Sequence, residues 1–306
     1  MAFQRIVSRK LPDGTTEKVY PFHISLEGLE KNLLCREEED YGIVEKLIFV
    51  SAWENNCLII IHIVMSNHGH IGVLAPSLDH AYKLAETLKK RCSMFIARKY
   101  NEHHVLAKTS ACIQLLDSEW YVRNTLAYIP RNAKDTGMRI EDYPWSGYRG
   151  MFVGGKSIDS VRMVSSLTRR EKEAIFHTHA NLDRVPWLLD RNDNLVPATC
   201  CDYEYLESAF NQDETFFLKM IGSVNAAEME QKLILNLKKR QPDSAFFLTV
   251  SDIADRWFNK KLAELTLEQK TRFIPYIYRC YRTTVPQLAR CLQEKPETIE
   301  RIISKK

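Results

Sequence analysis

Two histidines separated by one residue, His68 and His70, close the apolar run Leu58-Ile59-Ile60-Ile61-His62-Ile63-Val64. That run is rich in β-branched residues and predicts a buried strand, and Ser66-Asn67 predicts a turn into a second strand, His70-Ile71-Gly72-Val73-Leu74. Strand side chains alternate faces, so positions two apart point the same way. Two imidazoles on one rigid face form a bidentate site for a divalent metal. Neutral imidazole suits Zn, Mn, Fe, Ni or Cu, whereas Mg prefers oxygen and completes its shell with water and phosphate. Against this stands the chance occurrence of so short a pattern among nine histidines.

Downstream, Tyr121 to Asn132 predicts a helix entered from Asp117 or Ser118 as N-cap. Tyr128 and Asn132 are four apart and share a helix face. A phenol and a carboxamide at that spacing can present a nucleophile and a third metal ligand to one phosphate. The plainer reading makes Tyr128 a core-edge aromatic and Asn132 the first residue of a loop. Pro130, inside the helix, removes a backbone donor, and a kink there could re-aim Tyr128 relative to Asn132.

The ordered set Asn67-His68-Gly69-His70, Tyr128-Ile129-Pro130-Arg131-Asn132 and Asp142-Tyr143-Pro144-Trp145-Ser146-Gly147-Tyr148 resembles the single-tyrosine HUH transposases, in particular the REP-associated tyrosine transposases. The resemblance covers roughly residues 18 to 152. It implies cleavage of single-stranded or hairpin DNA through a 5′-phosphotyrosine link, strand transfer, and thus DNA transposition and recombination. By position, it implies Tyr128 as nucleophile and His68, His70 and Asn132 as ligands of a divalent metal, Mg or Mn. A catalytically impaired, domesticated DNA-binding protein of the same fold is the alternative, and a metallohydrolase using water in place of tyrosine is a further rival.

The elements that must position these residues read strand, helix, two strands, helix, strand, helix, beginning with the β-α-β-β-α-β pattern of ferredoxin-like folds. The first strand is Tyr20 to Ser25, where His23 taken alone reads as a satisfied structural histidine, while the resemblance implies a histidine in this strand near the active face. Pro12-Asp13-Gly14 marks a turn before it. Tyr41 to Val50 predicts an amphipathic helix behind the acidic run Glu37 to Asp40, itself expected to be solvated. Leu84, Leu88, Cys92 and Phe95 form the apolar stripe of a second helix. Its other faces carry Lys89, Lys90, Arg91, Arg98 and Lys99 beside Tyr82 and Tyr100. Such a face can track a phosphate backbone while aromatics stack on bases, or it can simply be solvated. Ile113 to Leu116 is expected to be a short strand.

At 306 residues, with 45% hydrophobic and 27% charged residues, the composition is that of a globular protein. The expected class is α+β: a ferredoxin-like antiparallel sheet with helices, followed by a mainly α-helical C-terminal region. Boundaries are expected at 1–152 for the catalytic domain, 153–245 for a helical linker region and 246–306 for a DNA-binding region. No apolar run approaches the roughly 20 residues of a membrane span, and the N-terminus lacks the apolar core of a signal peptide, so a cytoplasmic location is expected. The eight cysteines include no C-x-x-C pair and are expected to be reduced. A net charge of +4 is compatible with nucleic acid.

Gly150 to Ser157 satisfies the phosphate-loop pattern literally, but follows an aromatic, turn-rich segment instead of a strand. Residues 167–239 read as mostly helical, with Trp187-Leu188-Leu189-Asp190 and Asn192-Asp193-Asn194 marking a turn between short elements. His177-Thr178-His179 is a second H-x-H, near a helix end where positions two apart diverge by about 200°. Thr283 to Leu292 and Pro296 to Lys306 resemble a helix-turn-helix, with Arg290, Lys295, Thr298 and Arg301 as candidate DNA contacts. A helical hairpin that merely docks on the middle region is the alternative. One site per chain allows a monomer, and moving a DNA segment commonly asks for two tyrosines, hence a homodimer.

Overall fold

The computed structural model describes residues 3–27, 33–103, 106, 110–152, 162–223, 243–281 and 283–304. It is an α+β protein whose main sheet is antiparallel throughout. Strands β1 (Val7–Lys10) and β2 (Thr16–Glu27) form a hairpin turned by Gly14 at φ 93°. The long β2 then lies between β4 (Gly69–Ala75) and β5 (Ser110–Leu115), and β4 pairs with β3 (Leu58–Val64). The resulting order β5-β2-β4-β3, with helix α1 (Glu38–Glu54) between β2 and β3 and helix α2 (Leu78–Tyr100) between β4 and β5, is the ferredoxin-like arrangement.

Residues directly opposite one another in an antiparallel ladder share a face. His70 is opposite both Ser25 and Ile63, and His23 is opposite Gly72 and Gln114. One face therefore carries His23 and His70. The other carries His62, against which Glu45 and Phe49 of α1 pack. Helix α3 (Glu119–Arg131), capped by the Ser118 side chain on the Tyr121 amide at 3.2 Å, covers the face bearing His70. Gly72 makes that approach close, since a Cβ there would stand 2.9 Å from Leu126 Cδ2 and 3.4 Å from Ile129 Cδ1.

Pro130 falls in the last turn of α3, where the helix reaches Arg131 and tightens into a 3₁₀ turn over Asn132–Thr136. Its missing donor thus falls at the helix end, not in mid-helix.

Of the acidic run, Glu37, Glu38 and Glu39 are exposed as expected, but Asp40 is not. Asp40 is fully buried, accepts the Arg36 and Glu37 amides at 2.8 and 3.1 Å, and binds Tyr100 Oη and Lys99 Nζ at 2.6 Å each. Four neighbouring acids look alike in a sequence; only the one facing α2 is buried.

The expected boundary at 152/153 is not a boundary of compaction. Residues up to Val224, apart from a short piece at Ser77–Asp79, form one unit, and Asn225–Lys306 with that piece form a second. Helices α4 (Arg169–Phe176), α5 (Tyr203–Ala209) and α6 (Glu214–Ser223) belong to the first. They are tied in by backbone and side chain: the Asp202 amide donates to the Ile59 carbonyl at 2.8 Å, and Arg9 meets Asp202 at 2.6 Å. Between α4 and α5 the chain is largely turns, with the small strand β7 (Leu188–Leu189) paired to β6 (Arg162–Met163) ahead of α4, so the expected turn between short elements is present and the helical reading of the region holds only in part. Pro186, Pro197 and the Asn192-Asp193-Asn194 turn explain why.

The second unit, by itself, consists of α7 (Asp243–Phe258), α8 (Leu267–Cys280), α9 (Val285–Leu292) and α10 (Pro296–Ser304). Thr284 caps α9, and Gln293, at φ 52°, supplies the left-handed turn residue where glycine is common. Leu288, Ala289, Leu292, Ile299 and Ile302 are buried, as the helix-turn-helix reading requires. Among the described residues no helix is long and apolar enough to cross a membrane.

Candidate metal and tyrosine site

The turn between β3 and β4 is closed by the Met65 amide on the His68 carbonyl at 2.8 Å, and this sets His68 just before the strand and His70 within it. Their ring centroids are 5.1 Å apart. Asn67 Oδ1 lies 2.7 Å from His68 Nδ1. An amide oxygen only accepts, so Nδ1 carries the proton and Nε2 is the basic nitrogen, the kind of outer partner that orients a metal-binding imidazole.

Tyr128 comes to the same place from α3. Its ring sits 5.2 Å from that of His70 at an interplanar angle of 67°, and 6.4 Å from that of His23. His23 in turn lies 5.2 Å from His70. The tyrosine lies some sixty positions from the histidine pair in the sequence, and the sheet register with α3 across it unites three of the four proposed site residues: His68, His70 and Tyr128. The site is closed, with Tyr128 1%, His70 7% and His23 1% exposed.

His23 joins this cluster, on the face where the resemblance, though not the residue taken alone, put a histidine of this strand. It is not the satisfied structural histidine expected: its Nε2 is buried without a hydrogen-bond partner, and so is His70 Nδ1. Burial lowers the pKa of His23 to about 4 and that of His70 well below its ordinary value, in the latter case helped by the neighbouring His23 and His68. Neutral imidazole is the ligating form.

Asn132 arrives near the site but turns away in part. It is buried at the end of α3, and its Nδ2 donates to the carbonyls of Tyr128 at 2.9 Å and Ile129 at 3.1 Å. Only its Oδ1 is left for a metal. Among the described residues no group of three or more His, Cys, Asp or Glu side chains is arranged to hold a metal ion. The donor set fits a divalent ion as an incomplete shell: neutral imidazoles and one amide oxygen, with the remaining positions left to water or phosphate oxygen.

The Asp142–Tyr148 segment does not enter the site; it runs along β3. Tyr143 Oη donates to the Val64 carbonyl at 2.7 Å, the Val64 amide donates to the Trp145 carbonyl at 3.0 Å, and Ser146 forms an antiparallel bridge with Ile63.

The basic residues of α2 do not converge on Tyr128. Lys99 is bound by Glu37, Glu39 and Asp40, and Arg91 by Glu54 and Thr178, which turns both toward α1, the helix on the opposite face of the sheet. Lys90 and Arg98 are exposed and Lys89 is half-buried. In the second unit Arg290 is held by Asp243 through bonds of 2.6 and 3.1 Å, while Lys295 and Arg301 are exposed and Thr298 is half-buried. His177 and His179 part company, His177 lying against Phe95 and His179 bonding Glu173 at 3.0 Å. Of the phosphate-loop pattern, 153–157 lie outside the described residues.

Burial of the two histidines makes an acid-stability prediction. A group whose folded pKa is depressed to about 4 from an ordinary 6.5 binds its proton earlier in the unfolded chain. Stability is therefore complete above pH 6.5 and is lost as pH falls through the window below it. For His23 alone the expected loss between pH 7 and pH 5 is about 2 kcal/mol, and His70 adds to it. Urea unfolding of metal-free protein at both pH values is the check. His23→Asn should flatten the difference, and an unchanged slope would refute the assignment.

Set against family models, curated proteins and solved structures, the chain has no match.

Proposed function

We propose that this protein is a transposase of the tyrosine type, a metal-dependent nuclease and strand transferase acting on single-stranded or hairpin DNA. The observation that carries the reading is the placement of Tyr128 against His70, with the His68 ring 5.1 Å from that of His70. The resemblance of the ordered motifs adds weight.

In the proposed reaction the Tyr128 oxygen attacks a phosphodiester phosphorus, forming the tyrosyl O–P bond as the P–O3′ bond breaks. The 3′-oxygen leaves with a proton and the phenolic proton passes to solvent. The 5′ end stays on the tyrosine, and a later 3′-hydroxyl reverses the exchange and joins strands without ATP. His68 and His70, with Asn132 Oδ1, would hold Mg or Mn, which when bound supplies charge to the phosphate oxygens. Asn67 keeps His68 in the tautomer that can ligate. With Tyr128 at 1% exposure, the reaction also requires residues over the ring to part when DNA arrives.

The helix-turn-helix-like unit would read duplex DNA through Lys295, Thr298 and Arg301. Arg290, committed to Asp243, is not carried forward.

A denaturing gel of the protein with end-labelled hairpin DNA and Mn tests the proposal. A labelled band at the size of the protein, lost with EDTA, is expected. One observation favours a second reading, a DNA-binding protein without catalysis: the closed position of Tyr128. Hairpin affinity without any covalent band, with metal bound, would select it.

A further inference from the structure

Helices α1 and α2 and the end of α4 enclose a recess of about 330 Å³, on the side of the sheet away from Tyr128. That size is at the lower end of small-molecule sites, roughly 300–1,000 Å³, and suits one ring system with a charged substituent. Its floor is apolar, formed by Ile43, Leu47 and Phe95 with Met94 at the side, and its rim carries Arg98, His177 and Glu39.

The charges on the rim are not equivalent. Arg91 and Lys99 also line the recess, but acids of α1 and the segment before it already hold them. Arg98 and His177 are exposed and make no ion pair among the described residues. Lys46, buried to 8% exposure, likewise makes none there, and burial pushes its pKa down. Burial and then Lys46, followed by Arg98 and Lys99, push that of His177 down, against the pull of Glu39. Arg98 is thus the lining guanidinium that no carboxylate holds in an ion pair among the described residues.

We propose that this recess binds a nucleotide, the phosphate on Arg98 and His177 and the base on the floor of Phe95, Met94 and Leu47. Arginine's fork matches phosphate oxygens. An aromatic and a thioether side chain accept the flat face of any base. Glu39 can only accept when ionised, which suits the N–H groups of a base and gives an aliphatic phosphate nothing to use. The nucleotide comes either free or as one unit of a DNA strand. This inference does not rest on the tyrosine reading, because no residue is shared with that site.

Equilibrium dialysis of the full chain against labelled dAMP is the experiment, with inorganic phosphate and deoxyadenosine as partial probes. Saturable dAMP binding is expected, with each partial probe at least about tenfold weaker, since each lacks one of the two contacts. Arg98→Glu and His177→Ala, both at exposed positions that leave the fold intact by circular dichroism, should each weaken dAMP about tenfold or more. A short oligo(dA) titrated into wild type and Arg98→Glu separates the sources: weaker binding in the variant identifies a strand unit, and unchanged binding a free nucleotide. No saturable binding up to about 10 mM dAMP, or equal affinity in Arg98→Glu, overturns the proposal.

Discussion

Tyr128→Phe is expected to eliminate the covalent protein–DNA band completely while leaving the fold in place. Only the oxygen that would carry the DNA is removed. The ring that packs between His70 and His23 remains, so its buried apolar area and its edge-on contacts are kept. Loss of one hydroxyl in a buried site costs about 1–2 kcal/mol at most in stability. Loss of the only nucleophile, by contrast, leaves no adduct at any time point. The same gel distinguishes the rivals. Cleavage at full rate by Tyr128→Phe means that water attacks, and the tyrosine mechanism is then wrong. Wild-type protein that binds hairpin DNA but never forms the band points to binding alone.

His62→Leu should be among the most destabilising single changes in the first unit. His62 Nε2 and Glu45 Oε1 are 2.7 Å apart, with side-chain exposures of 0% and 4%. Phe49 closes the pair edge-on at 5.1 Å, and Gly147 approaches so closely that a Cβ there would stand 3.2 Å from His62 Nδ1. Removing His62 strands a carboxyl group in a site that water does not reach. Breaking such a pair from one side costs about 3–5 kcal/mol. Replacing both partners removes the stranded group, so His62→Leu with Glu45→Leu should lose less than His62→Leu alone. Urea unfolding of His62→Leu, Glu45→Leu and the double variant decides it; a double variant as weak as the sum of the singles would show that the pair is not coupled.

The sequence made the strand-turn-strand around His68 and the helix of Tyr128 legible because each is encoded locally, by a β-branched run and by a capping serine. It also conveyed the order of elements that places them across one sheet. Taken alone, His23 read as structural because its role depends on register: nothing near Tyr20 to Ser25 says that β2 runs beside β4 with His23 opposite Gly72, and only the resemblance pointed to the active face. Gly72 itself gave no signal, since a glycine in a strand tells nothing of the helix that will press on it. Asp40 was misread because burial of one acid among four is decided by Lys99 and Tyr100, some sixty positions away. The middle region was legible only in part, its helices and its turn showing in the sequence while its contacts with β3 did not.

The segments laid along β3 have a consequence beyond positioning. Leu58–Val64 is an edge strand made almost wholly of Leu, Ile and Val, and so a template for pairing with another chain. Trp145 and Ser146 occupy it at Val64 and Ile63, and Cys201 and Asp202 occupy it at Ile59. These two short stretches act as guards against self-association. Changes that loosen Tyr143 or Trp145 would therefore be felt first as aggregation, through an uncovered strand, while the histidines and the tyrosine stayed where they are.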